Sequence, residues 1–133
     1  MDKREINERY AQIGADLIEK EKALEHIKES EATIVYLSSE QAKTSGQKKI
    51  FAQCEKVPQK YKWGIPCDFT ITVFEPNVEG MTEDQLKILL FHELLHVGIE
   101  RNDDGTEKYS TVPHDLEDFK LIIDRFGTDW SEV

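Results

Sequence analysis

Apolar residues recur at helical spacing near the start of the chain, at Ile6, Tyr10, Ile13, Leu17, Leu24 and Ile27, with Glu and Lys filling the positions between. That period predicts an amphipathic helix over residues 3–29, bent at Gly14 or broken near Lys20. Lys20 also interrupts the apolar seam, so the stripe is expected to pack on the chain's own core rather than in a coiled coil. The pattern then shifts to short β-branched and aromatic runs. Ile34–Leu37, Ile50–Cys54 and Asp68–Glu75 each read as a strand, with Val57-Pro58 ending the second and Pro76-Asn77 closing the third. Trp63-Gly64-Ile65-Pro66 forms a turn-rich connection, and its Trp is expected to cap the core.

The most apolar stretch follows. Thr82 with Gln85 three positions on has capping-box spacing, and Glu83 and Asp84 place negative charge in the first turn, so a helix is predicted over residues 83–100. Leu86, Leu90, Leu94, Ile88, Phe91 and Leu95 cover most of its circumference, which predicts burial. Arg101-Asn102-Asp103-Asp104-Gly105 is a polar break, and a last helix is expected to begin near Pro113, carrying Leu116, Phe119, Ile123 and Phe126 inward until Gly127. The sum is an α+β domain over residues 1–133, with an N-terminal helix, a mostly antiparallel sheet of about three strands, a buried helix and a C-terminal helix.

The buried helix carries unusual polar cargo: His92-Glu93-Leu94-Leu95-His96. Residues four apart stand about 40° from each other on a helix, so the two imidazoles share one face, and Glu93 can reach a water held beside them. Buried groups of this kind need partners. Zinc suits them, because it accepts imidazole nitrogen, keeps a position open and lowers the pKa of bound water to about 7. Glu93 is then the candidate general base.

Catalytic zinc normally takes three protein ligands. His26, among Lys and Glu on the first helix, reads as a solvated surface residue. His114 lies eighteen positions beyond His96 on a helix that must return to the core, and is the candidate third ligand. Glu117 and Asp118, one turn further on, compete for that role. Tyr109 could stabilise an oxyanion, but a Tyr packed on the loop accounts for it more simply.

Composition narrows the setting. Hydrophobic residues make up 38% and charged residues 33%, so the core must be compact. No stretch approaches a membrane span, and the start Met1-Asp2-Lys3-Arg4-Glu5 lacks an apolar signal region, so a cytoplasmic location without membrane partners is expected. Cys54 and Cys67 are expected as free thiols. The net charge of −10 argues against nucleic acid as a partner for the chain as a whole. The charge is uneven: residues 1–40 carry −4, residues 41–74 carry +4 and residues 75–133 carry −10. Lys43, Lys48, Lys49, Lys56, Lys60 and Lys62 make the basic segment and read first as guards of a strand edge.

The helix Leu89–Val97, the segment His114-Asp115-Leu116-Glu117-Asp118-Phe119, the closing Phe126-Gly127-Thr128-Asp129-Trp130, and upstream Cys54–Pro58, Lys62-Trp63 and Asp68–Ile71 together resemble the metallopeptidase domain family of phages and prophages. The resemblance implies a minimal zincin-like fold, His92, His96 and His114 as zinc ligands, Glu93 as the base, a peptide or protein substrate, and a phage or prophage origin in a bacterial host. In zincins an extended peptide commonly pairs with a sheet edge above the metal helix, and Phe69–Phe74 is the strand expected to serve. The competing reading is a zinc-stabilised binding or regulatory module without turnover.

Overall fold

The computed structural model describes residues 3–113, 119–127 and 130. Its strands are β1 (Arg4–Ile6), β2 (Ile34–Ser39), β3 (Lys43–Ser45), β4 (Lys48–Ile50), β5 (Ala52–Lys56), β6 (Phe69–Phe74), β7 (Val97–Arg101) and β8 (Glu107–Thr111). Its helices are α1 (Glu8–Lys20), α2 (Glu25–Lys28), α3 (Glu75–Val78), α4 (Glu83–Leu95) and α5 (Lys120–Phe126).

The expected first helix is shorter and segmented. Arg4–Ile6 is a strand, and the Asn7 side chain then caps α1 by accepting from the Tyr10 N–H. At Glu21 the backbone turns extended, which ends α1 before a 3₁₀ turn leads into α2. Gly14 sits inside α1, where the helix touches the sheet, and a Cβ there would lie 2.2 Å from the Tyr36 hydroxyl.

The main sheet has the order β1-β2-β6-β5. Its outer pairs are antiparallel, but the central pair β2 and β6 is parallel, with Ile34 opposite Phe69 and Ser39 opposite Phe74. The three expected strands are all present, and the sheet is mostly antiparallel as expected, with one parallel pair at its centre. A parallel pair needs a long crossover, and residues 40–68, carrying β3, β4 and β5, supply it. On one face of the sheet Tyr36, Ile71 and Cys54 lie in one cross-strand row beneath α1 and α4, and there the core gathers Tyr10, Ile13, Leu90, Leu94, Phe69 and Val73. Burying each such side chain contributes roughly 1.5–3 kcal/mol.

Two expectations give way. Trp63 does not cap the core; it is 91% exposed, because Pro58 and the turn at Gln59–Tyr61 carry the loop away from the sheet. The helix predicted to residue 100 stops at Leu95, and Val97–Arg101 instead pairs with Glu107–Thr111 in an antiparallel hairpin. Val97 and Ile99 are β-branched, and the Asn102–Gly105 turn closes with Gly105 at φ 88°, a conformation only glycine adopts freely. Among the described residues no helix is long and apolar enough to cross a membrane.

Candidate metal centre

The capping box foreseen at the start of α4 forms in full: the Gln85 N–H donates to Thr82 Oγ1, and Gln85 Oε1 accepts from the Thr82 N–H. Leu86, Leu89, Leu90, Phe91 and Leu94 then bury the helix, and the same burial draws in Glu93, which is 4% exposed. His92 and Glu93 belong to the last turn of α4, and His96 is its C-cap with helical dihedrals, φ −75° and ψ −15°. The imidazoles therefore keep the spacing of one turn, with ring centroids 5.1 Å apart. His92 Nε2 lies 3.7 Å from Glu93 Oε2. One ligand atom from each of His92, Glu93 and His96 can be chosen so that all three lie within 4.8 Å of one another, a group able to hold a metal ion.

The early end of α4 orients this group. Because the chain turns into β7 at His96, β8 returns alongside and brings Val112 back to it. The Val112 N–H donates to the His96 carbonyl at 2.7 Å, and His96 Nδ1 donates to the Val112 carbonyl at 2.6 Å. A carbonyl can only accept, so Nδ1 carries the hydrogen and the lone pair is on Nε2, the arrangement a metal ligand needs. From the other side Phe119 packs edge-on against both imidazoles, at 5.5 Å from His92 and 4.9 Å from His96. Trp130, whose carbonyl accepts from Gln85 Nε2, lies 6.2 Å from His92.

His92, Glu93 and His96 open into a cleft of about 700 Å³, bounded by β4 and β5 on one side and by Thr111–Pro113 on the other. Cys54 on β5 also lines it. Burial, then the charges of Glu93 and Glu55, push its thiol up to about 12, so it stays protonated and inert near neutral pH. Cys54 and Cys67 are both free, as expected.

The strand expected to receive a peptide is not available. β6 is paired on both sides, whereas β5 is the strand at the sheet's edge beside the cleft. The Phe74 N–H bonds to the Phe51 carbonyl and the Val57 N–H to the Asp68 carbonyl, which fixes the alternation. Phe51, Gln53, Glu55 and Val57 point their backbone groups at β6, while Ala52 and Cys54 point theirs outward at the open edge.

Of the other candidates, His114, Glu117 and Asp118 lie outside the described residues. His26 is not a solvated surface residue: it is half-buried, with Nε2 2.9 Å from the Val97 carbonyl, and ties α2 to the start of β7. Tyr109 takes the packing role, with its hydroxyl donating to Glu107 and its ring edge-on to Phe69. Lys48 and Lys49, read as edge guards, line the cleft.

A His, Glu, His group at the floor of an open cleft has the donor set of a metal-dependent hydrolase. The chain belongs to a family described as putative phage metallopeptidase, whose model matches residues 2–133. No curated protein and no solved structure matches it. The reaction class carried by that family name is hydrolysis of peptide bonds with a metal.

Proposed function

We propose that the protein is a zinc-dependent metallopeptidase with a zincin-like arrangement of helix, sheet edge and cleft. The observation that carries the reading is the placement of His92, Glu93 and His96 at the floor of a cleft whose wall is an open strand edge. His92 and His96 are the ligands, with His96 held by the Val112 carbonyl. His114 is the third ligand in this proposal, with Glu117 or Asp118 as the alternative. Zinc suits two imidazoles one helical turn apart with the Glu93 carboxylate beside them within 4.8 Å, and when bound it would supply positive charge that acidifies water and polarises a carbonyl.

The chain's own residues do the rest. An extended peptide lies along β5, exchanging hydrogen bonds with the backbone of Ala52 and Cys54, which sets its scissile carbonyl over the floor of the cleft. Glu93 accepts a proton from the attacking water as the water oxygen bonds to that carbon. It then gives the proton to the departing nitrogen as the C–N bond breaks, so one water enters and a carboxyl and an amine leave. Phe119 and Trp130 cover the imidazoles and limit bulk water there.

The test is zinc affinity. Competition with a chromophoric chelator should give about one zinc per chain for the wild type, with affinity falling at least tenfold for His92→Ala, His96→Ala and His114→Ala, and unchanged for His26→Ala. If His92→Ala and His96→Ala bind zinc as tightly as the wild type, the metal assignment is wrong. If only His114→Ala does so while Glu117→Ala or Asp118→Ala weakens binding, the third ligand is a carboxylate.

A further inference from the structure

We propose that the cleft selects peptides with Asp or Glu on one side of the bond presented to Glu93, and that Lys48 and Lys49 recognise them. The position of the substrate rests on the metallopeptidase reading, but the selectivity has support of its own. Both lysines line the cleft, and with Glu93 they are its only charged side chains among the described residues. Neither has a hydrogen-bond or ion-pair partner among the described residues. Other lysines are committed, Lys62 to Asp68 at 2.6 Å, Lys28 to Glu19 at 3.0 Å and Lys43 to Gln53 at 2.5 Å.

The hairpin that carries the lysines is held in place. β3 and β4 form a hairpin whose base is clamped by Asn77, a buried residue that donates from Nδ2 to the carbonyls of Lys43 and Ile50 at 2.7 and 2.8 Å. The chain then enters β5 at Ala52, so the lysines stand at one end of the strand edge along which a peptide would lie. A chain of net charge −10 that carries two adjacent, exposed lysines on the strand at the rim of this cleft creates a local positive potential there, with the alternation of β4 turning one of the two side chains to each face. Low-dielectric walls focus such a field, and a carboxylate seated in it gains attraction where a neutral side chain gains none.

The test uses zinc-loaded Glu93→Gln protein, which should bind peptide without cutting it, and three fluorescein-labelled peptides with one apolar centre flanked by Asp/Glu, by Asn/Gln or by Lys. Anisotropy should show the acidic peptide bound about tenfold more tightly than its amide counterpart, with the basic peptide weakest. The preference should vanish or invert in Lys48→Glu/Lys49→Glu, and survive in Lys20→Glu/Lys22→Glu, which changes net charge equally on exposed positions away from the cleft. It should shrink as salt rises from about 0.05 to about 0.5 M. Equal binding of the three peptides, no binding of any, or a preference that persists in Lys48→Glu/Lys49→Glu would overturn the proposal. Cleavage by the wild type separates the two readings. Cutting regardless of flanking charge sinks the selectivity and keeps the peptidase, whereas an acidic binding preference without Glu93-dependent cutting does the reverse.

Discussion

Proline substitution along β5 tests the docking edge residue by residue. Ala52 directs its N–H away from β6 and Gln53 directs its N–H toward Thr72, so adjacent positions separate substrate pairing from folding. Ala52→Pro removes no ladder bond, and proline is tolerated on an edge strand where the lost N–H faces outward. Its fold should be preserved, with Tm within about 2 °C of wild type. If a peptide pairs there, one backbone hydrogen bond is lost, worth about 1 kcal/mol, and kcat/KM should fall roughly fivefold, more if the ring crowds the peptide. Gln53→Pro leaves the Thr72 carbonyl without its donor inside the sheet, at a cost of about 1–3 kcal/mol, and for a chain of this size each kcal/mol lowers Tm by roughly 3–5 °C. Thermal denaturation beside peptide cleavage reads both numbers. Unchanged kcat/KM in Ala52→Pro would refute pairing along β5, and equal loss of stability in both variants would refute the register.

Gly14→Ala should destabilise by about 1–3 kcal/mol in chemical denaturation despite alanine's better helix propensity, because its Cβ would meet the Tyr36 ring and hydroxyl at 2.2–2.6 Å; a gain in stability would mean α1 sits further from the sheet. Tyr36→Phe should be neutral or stabilising, since the buried hydroxyl it removes has no hydrogen-bond partner among the described residues. Burial pushes the Asp68 carboxyl up, but Lys62 and Thr33 outweigh it and hold the group below its ordinary 3.8. A depressed carboxyl stabilises fully above its unfolded value and loses that contribution as pH falls through the lower folded one, so Asp68→Asn should cost stability at pH 7 and progressively less as pH drops below about 4. A gap between the two proteins that widens in acid would contradict this.

How far the sequence alone reached depended on whether its signals were local. The His92 to His96 spacing and the Thr82, Gln85 box are set within one or two turns of helix, and both appear where the pattern put them. The β7–β8 hairpin was hidden because Val97 and Ile99 continue the apolar run of α4, although Gly98, the Asn102–Gly105 turn and the alternation after Glu107 were its signature. β1 has three exposed residues and no periodicity to detect. Which strand forms the sheet edge depends on the pairing of β6 with both β2 and β5, a long-range choice that no local pattern records. Burial of His26 against β7 and exposure of Trp63 are likewise set by packing between distant segments.

The central claim, that Glu93 moves protons beside a metal held by His92 and His96, is tested most directly by peptide cleavage in wild type and Glu93→Gln loaded to the same measured zinc content. The account predicts equal zinc in the two proteins and a turnover in Glu93→Gln reduced by about 10²-fold or more. Equal turnover at equal zinc would contradict it.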